Sequence, residues 1–530
     1  MSNGPSVITT DISSCDQEPV RFISAIQDHA VFFTFSKGDY RIQNFSQNIE
    51  RLFSSEDVLH KRINEFPFGR AFMPMLEYKI KSEEWNLYQE VFYKQEYQER
   101  TFEVHVFEND GLIACEIESL HWLNLPDDFI PGRVSLRQSN ILTKFKAKTD
   151  ISNLGKDLCQ EIRNITGLER VMLYKFSPED WHGEVIAEDK VASAHSFMGH
   201  HFPASDIPKT ARELYLRNRV RYIADSEDKG SPVTPVINSA TGKIIDLSDS
   251  KTRAVSQVHL DYLVNMGVKT SYSVAITVHD ELWGLIACHS PEKIFVGQDV
   301  RILCENIAEA FAIAVPLIEE LKSEREITSF NDLLFSFFDK AKNGQNPLEF
   351  VFKNFKQVLE LFSCDGFAYI HEDNVDLVGF TPTKNDLLEI ASWLRASFDQ
   401  NGRSIIAIES LASIDKRWEK IGDLASGALA MKVDGLNNAL FILFRREFVS
   451  TVVWGGDPRK LEMRNYGGSI NPRKSFESWQ EVIRHTSTKW YSFEVNGARN
   501  FKTLLFDSLI VNEKRINELK EKLLNRKESL

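Results

Sequence analysis

The stretch His201-Phe202-Pro203-Ala204-Ser205-Asp206-Ile207-Pro208 sets a carboxylate between two prolines. A helix is expected to start at Pro208, because the N–H that proline lacks is an orphan at the first helical position anyway. Ile207 would then be the N-cap, a poor one, and Asp206 lies one residue too early to cap. An acid not needed for capping, beside a helix start, can face a ligand; the plainer reading is an aspartate on a surface turn. Downstream come Tyr215, Arg217, Arg219 and Arg221, with Arg217 and Arg221 expected on one helix face. Arg253 follows after a long insertion. Two guanidinium groups converging on one pocket would suit carboxylates, which they grip bidentately. Solvated surface arginines are the plainer alternative.

Ser256 to Val268 adds His259 and Tyr262, three residues apart and facing one way on an expected helix that stops at Gly267. Its apolar positions are Leu260, Leu263, Val264 and Val268. On the strand that follows, Ser271 and Ser273 fall on one side and Tyr272 on the other. His289 ends another, otherwise apolar strand. A single histidine there is ordinarily a hydrogen-bonded core residue. Two histidines, a tyrosine and two serines can instead stud one largely apolar ligand pocket.

Other chemistries find little support. GxSxG, HExxH, Walker A and GxGxxG patterns are absent. Gly455-Gly456-Asp457 looks like the Gly-Gly-Asp of nucleotide cyclases, but Pro458 follows it in an arm-like segment. The six cysteines (Cys15, Cys115, Cys159, Cys288, Cys304 and Cys364) form no CxxC pair, so no structural zinc site is expected. They are also too sparse for a disulfide scaffold, which suits a reducing cytoplasm. Cys15 sits beside Asp16 and Glu18, acids that raise a thiol pKa, so it is a poor general nucleophile. It can still attach to a reactive ligand held next to it. Lys and Arg (63) against Asp and Glu (76) leave a charge of −13, which argues against nucleic acid as a partner. No apolar run is long enough for a membrane-spanning helix, and the N-terminus does not read as a signal peptide.

The elements that must position these residues fall into three blocks. In the first, Ala30–Phe35 reads as strand, Trp85–Tyr97 as helix, and Phe102–Phe107 with Leu112–Ile117 as a hairpin. A turn-rich stretch, Pro126 to Gly132, marks a boundary. The second block, roughly 140–320, has expected strands at Arg170–Phe176, Lys269–Val278 and Leu282–His289, and a helix from Gln298 to about Leu321. Within it Ser226–Thr252 is a Ser/Asp/Gly/Pro-rich insertion, long enough to suggest function. A charged helical stretch, Glu319–Asp339, leads to the third block, with a helix at Asn385–Phe398 and strands at Gly427–Val433 and Ala439–Arg445. Trp454–Phe476 reads as a protruding arm. Leu505, Leu509, Asn512, Ile516, Leu519, Leu523, Arg526 and Leu530 then recur alternately four and three residues apart, a heptad seam. The alternative is one amphipathic helix packed on its own domain. The expected class is α+β: three mixed domains with antiparallel sheets, joined by long helices and followed by a C-terminal coiled-coil helix.

In these residues the chain resembles the photosensory module of a bacteriophytochrome, arranged PAS-GAF-PHY over nearly its whole length. The similar motifs are Pro203-Ala204-Ser205-Asp206-Ile207-Pro208, His259-x-x-Tyr262-Leu263-x-Asn265-Met266-Gly267-Val268, Trp283-Gly284-Leu285-Ile286-Ala287-Cys288-His289, Trp454-Gly455-Gly456 and Pro472-Arg473-Lys474-Ser475-Phe476. The resemblance implies an N-terminal segment at 1–18, a PAS domain at 19–130, and a bilin-binding GAF domain at 136–320. It further implies a PHY domain at 325–504 with its tongue at about 451–478, and a signalling helix at 505–530.

It also implies biliverdin, a linear tetrapyrrole with two propionates, attached by a thioether to Cys15. The alternative attachment position before His259 holds Gln257 and Val258, not cysteine. By the same resemblance, the Asp206 carbonyl meets the pyrrole N–H groups and its carboxylate meets the tongue; Ile207 and Pro208 belong to the same motif. His259 joins the pyrrole-water network and His289 bonds the D-ring carbonyl. Arg221 and Arg253 pair with the B-ring propionate, near Tyr215, and Ser256, Ser271 and Ser273 bind the C-ring propionate. Tyr174, Phe197, Phe202 and Tyr262 pack around the D ring. The 226–252 insertion is threaded by the N-terminal segment in a knot, rare among proteins. Two departures from the family pattern are Gln257, where proline is usual, and Val20-Arg21-Phe22-Ile23-Ser24.

The function so implied is red/far-red light sensing: the C–D methine bridge isomerises, and Asp206 exchanges partners between Arg473 and Ser475. The tongue, including Trp454, refolds, and the C-terminal helix passes the signal on. A parallel homodimer in the cytoplasm is implied, with no nucleic acid or membrane as partner. The chain itself is not expected to be an enzyme; a C-terminal output domain such as a diguanylate cyclase or histidine kinase, or a partner protein, would read the signal. The alternative is a light-independent GAF-type sensor of a cyclic nucleotide or haem.

Overall fold

A computed structural model describes residues 23–123, 150–340, 346–372, 374–433, 439–456 and 476–506. The chain forms two compact units, Met1–Ile318 with Val453–Trp479, and Glu319–Val452 with Gln480–Leu530.

Among the described residues, the first unit holds two sheets. One has seven strands, in the order Ala25–Ile26, Ser231–Thr234, Ile42–Ser46, Ala30–Phe35, Leu112–Glu118, Arg100–Asn109 and Glu90–Tyr97. Its hairpin closes on Asp110 and Gly111, both at positive φ (44° and 87°), the backbone that a two-residue turn between twisted strands requires. Phe33, Phe53, Phe68 and Phe72 pack into the core on one face. The helix expected over Trp85–Tyr97 is instead a short helix, Glu83–Tyr88, followed by a strand, Glu90–Tyr97. Gln89, in the left-handed region at φ 54°, ends the helix, and Val91, Phe92 and Tyr93 are residues that favour a pleated surface.

The 226–252 insertion is not a plain loop. Its strand Ser231–Thr234 pairs with Ala25–Ile26 on one side and Ile42–Ser46 on the other. Ala25 and Gln27 also bond the far arm of the same insertion: Ala254 N–H donates to Ala25 C=O, and Gln27 N–H donates to Thr252 C=O. The chain at 25–27 is thus gripped from both sides.

The second sheet runs Val220–Ile223, Thr270–Val278, Glu281–Ser290, Arg170–Phe176, Gly183–Lys190 and His200–Phe202, and Val453 and Trp454 pair with its last strand. Leu158 and Ile162 of the helix Ile151–Thr166, with Leu303, Ile307 and Phe311 of the helix starting at Gln298, fill the core on one face. The opposite face carries the candidate site. The helix from Gln298 does not stop near Leu321 but continues to Asp339, absorbing the charged stretch expected to connect the blocks.

The second unit contains a five-stranded antiparallel sheet, ordered Asn374–Gly379, Gly366–His371, Leu440–Arg445, Gly427–Lys432 and Ile405–Ile408. Its residues alternate between two cores: Phe367, Leu429, Met431 and Phe441 on one face, Ala368, Ala428, Ala430 and Ile442 on the other. The helix Lys384–Asn401 covers the second face with Leu387, Leu394 and Phe398. Leu505, first residue of the heptad seam, is buried in this unit's own core; the rest of the seam lies outside the described residues.

Candidate functional site

Among the described residues, six strands and two helices contribute side chains to one cavity. On Thr270–Val278, Ser271 and Ser273 face it while Tyr272 is wholly buried in the core behind. The neighbouring strand sets His289 opposite Ser271 and Ala287 opposite Ser273. On its other side it sets Leu285 opposite Tyr174 and Ala287 opposite Met172. Above this floor the helix Gln257–Asn265 starts at Ser256, whose hydroxyl accepts the His259 N–H. One turn brings His259 and Tyr262 into a stack, ring centroids 5.9 Å apart. The Tyr262 hydroxyl donates to Asp206 Oδ2 at 3.1 Å.

The Asp206 segment is a turn of 3-10 helix, Ala204–Asp206, ahead of the helix Lys209–Arg217. Pro208 is the N-cap of that helix rather than its first residue. Arg212 pins the turn by donating to the Ile207 carbonyl at 2.6 Å. The expected helix face shared by Arg217 and Arg221 does not exist. The helix ends at Arg217, which pairs with Asp249 and Asp246. Arg221 lies on the strand Val220–Ile223, where valine, tyrosine and isoleucine favour extended chain, and it reaches the cavity from there.

All fifteen residues expected around the ligand line this one cavity: Tyr174, Phe197, Phe202, Asp206, Ile207, Pro208, Tyr215, Arg221, Arg253, Ser256, His259, Tyr262, Ser271, Ser273 and His289. Cys15, Arg473 and Ser475 lie outside the described residues. Trp454 is outside the cavity and buried, its ring edge-on to His182 at 5.0 Å, on a strand that runs parallel to His200–Phe202. Gly455 lies against the Phe202 ring, and Phe476 packs edge-on to Tyr262 at 4.8 Å. Both described ends of the arm therefore touch cavity-lining aromatics.

Charge in the cavity is costly. Burial, and then the neighbouring Arg253, pull the Arg221 pKa down to about 9. Burial brings Arg253 down to about 10. Arg221 donates to the main-chain carbonyls of Arg253 and Ala254. Tyr215 and Ser273 share a hydrogen bond of 2.7 Å beside them. Burial, then Arg221, lowers His259 to about 4, and burial, Arg170 and His259 lower His289 well below its ordinary value, so both imidazoles are neutral. Arg170, a donor only, lies 3.4 Å from His289 Nδ1, which must accept; the ring proton then sits on Nε2.

Arg170 also stacks over Phe197 at 4.4 Å and was not expected at the site from sequence. Its signal was register, since it sits opposite His289. Met172 and Leu285 were missed likewise, although each shares a strand face with an expected lining position, two residues from Tyr174 and four from His289 respectively. Ile23, at the altered N-terminal stretch, also lines the cavity.

Family profiles match the chain in order: PAS fold over residues 15–120, GAF domain over 150–315 and Phytochrome region over 331–514. The crystal structure of a bacteriophytochrome from the photosynthetic bacterium R. palustris is 30% identical, aligning over 94% of this chain and 99% of that one with a TM-score of 0.77. The chain belongs to the phytochrome family. It carries that family's photosensory domains, those of red/far-red light receptors, and the light-independent ligand sensor is not favoured. The phytochrome photosensory core module of Stigmatella aurantiaca is 27% identical, with a TM-score of 0.74 over 94% of this phytochrome and 98% of that chain. Cyanobacterial phytochrome B of Nostoc sp. is 29% identical over 93% of this chain and 66% of its own length. The bacteriophytochrome of Xanthomonas campestris is 29% identical over 70% of this chain and 60% of its own. This phytochrome thus spans about two thirds of such relatives. Among the described residues, no helix is long and apolar enough to cross a membrane.

Proposed function

We propose that the chain senses red and far-red light through biliverdin held in this cavity and joined by a thioether to Cys15. The observation that carries the proposal is the donor set. Two cavity-lining arginines beside hydroxyls offer what two ligand carboxylates need, and neutral histidines with aromatic rings offer what an apolar conjugated body with polar edges needs. Bound biliverdin supplies absorption of red light and a methine bridge between rings C and D that isomerises.

The chain's own residues do the rest. Arg221 and Arg253 hold one propionate, and Ser256, Ser271 and Ser273 hold the other. The Asp206 carbonyl accepts from pyrrole N–H groups, with Ile207 and Pro208 completing that wall. His289 donates from Nε2, and His259 stays neutral among the pyrroles. Tyr174, Phe197, Phe202 and Tyr262 form the cage that must rearrange. Asp206, bonded to Tyr262, is the group that exchanges partners between Arg473 and Ser475, and with Trp454 passes the change to the arm. This is a two-state element biased by its ligand. The domain limits in this reading are 19–130, 136–320 and 325–504, with a parallel homodimer along 505–530. A C-terminal output domain or a partner protein reads the state in the cytoplasm.

The test is a denaturing gel with zinc fluorescence after incubation with biliverdin. A fluorescent band that vanishes in Cys15→Ser supports the attachment; an equal band in both proteins removes it.

A further inference from the structure

One buried cluster lies away from the cavity and the function above does not use it. Glu116, on the strand Leu112–Glu118, is 1% exposed and takes four hydrogen bonds from a three-residue stretch, Ser250–Thr252, of the insertion. The Ser250 hydroxyl donates to it, as do the Thr252 hydroxyl at 2.6 Å, the Lys251 N–H at 2.9 Å and the Thr252 N–H at 3.2 Å. His105 Nδ1 reaches the same carboxylate at 2.9 Å, while its Nε2 meets Glu90 at 2.7 Å. A carboxylate this deeply buried is kept only where it is fully bonded, and its donors are fixed in return.

The next residue along the insertion is Arg253. Its carbonyl, with that of Ala254, receives the guanidinium of Arg221. The backbone on either side is held by the 25–27 segment, through Thr252 C=O and Ala254 N–H. One carboxylate in the first sheet therefore fixes the backbone from which one cavity arginine springs and onto which the other is bonded.

We propose that Glu116 is a positioning residue for carboxylate binding in the cavity: by clamping Ser250–Thr252 it sets Arg253 and Arg221 for an anionic side chain of the ligand. The proposal rests on the biliverdin reading above. It ties the first sheet to ligand selection through hydrogen bonds, not through contact with the ligand. The negative charge of Glu116 also favours the charged forms of both arginines.

The test uses the full chain carrying Cys15→Ser, so that binding stays reversible. Affinities for biliverdin and for biliverdin dimethyl ester, which lacks the carboxylates, are read from quenching of tryptophan fluorescence. Glu116→Gln is expected to weaken biliverdin about tenfold, the cost of disturbing a charge-assisted contact, and the ester by under about twofold. Equal losses for both ligands would make Glu116 a purely structural residue and overturn the proposal, as would no loss at all. Thr252→Val removes one donor and keeps the carboxylate; it is expected to give a smaller loss with the same preference, and it serves if Glu116→Gln does not fold. Arg221→Met distinguishes the two layers of the argument. If it binds acid and ester as the parent does, the cavity reading itself fails; if it loses the acid selectively while Glu116→Gln and Thr252→Val do not, only the positioning role fails.

Discussion

Two arginines of the first unit, Arg301 and Arg221, are treated in opposite ways. Arg301, on the long helix, meets Glu118 at 2.7 Å, bonds the Val296 carbonyl and lies over the Tyr222 ring. Burial alone would lower its pKa, but Glu118 and Glu103 outweigh burial and raise it. Arg221, half-buried on the cavity wall, bonds backbone carbonyls and has a second arginine for a neighbour; burial, then Arg253, bring its pKa down to about 9. Arg445 in the second unit likewise has a buried carboxylate partner, Glu494. Where a cation serves the fold, the chain supplies the anion. Where Arg221 meets a second cation across a ligand-sized cavity, a ligand that brings its own anion is a natural complement.

The contrast can be broken experimentally. The largest effect is expected at the structural pair. Glu118→Ala leaves Arg301 and His29 without their shared carboxylate, which burial works against and Arg301 and His29 hold ionised with a pKa of about 2. A loss of about 3–5 kcal/mol is expected in chemical denaturation without added bilin. A loss near zero would erase the distinction.

Next comes acid. The His259 pKa is depressed from 6.5 to about 4 in the folded chain, so the unfolded chain takes up the proton first. Its contribution is therefore fully present above pH 6.5 and is lost as pH falls toward 4, by roughly 3 kcal/mol at most. His259→Phe should flatten that slope in denaturation curves taken across this window; an unchanged slope would contradict it. His105 has the opposite sign. Burial opposes its charge, but hydrogen bonds to Glu116 and Glu90 raise its pKa, so its contribution is present at low pH and is lost as pH rises through the raised value.

A smaller effect is expected at Gly455→Ala. An added Cβ would lie 2.5 Å from the Phe202 ring, so the ring or the strand must shift, at a cost of about 1–2 kcal/mol. Hydrogen exchange at Val453–Gly455 should speed up; unchanged exchange would show that the ring gives way freely. The smallest effect sharpens the contrast most. Arg221→Met should leave stability without bilin within about 1 kcal/mol of the parent, or raise it, because an enclosed charge is removed. A loss comparable to Glu118→Ala would place Arg221 among the structural cations.

Much of the site was legible because its residues lie in short segments with local rules. Ser271 and Ser273 alternate with Tyr272, His259 and Tyr262 share a helix face, and the strand Arg170–Phe176 runs between the ends expected for it. Resemblance supplied what periodicity could not, such as the expectation that Arg221 and Arg253 serve one propionate and Ser256, Ser271 and Ser273 the other. The failures are non-local. The strand Ser231–Thr234 shows no alternation of its own, and it exists because Ala25–Ile26 and Ile42–Ser46 flank it. Glu116 reads as an acid in a largely apolar strand; apart from His105, its partners lie more than a hundred residues away. Trp85–Tyr97 failed for a local reason, a single left-handed residue that switches helix to strand within a window of apolar residues suited to either.

The most direct measurement is the absorption spectrum of the full chain assembled with biliverdin, taken in darkness, after red light and after far-red light. The cavity as read here requires a red-absorbing form that light converts to a second form and back, with the cycle impaired in Asp206→Ala. A pigment that binds but whose spectrum never changes under either colour would contradict the account at its centre.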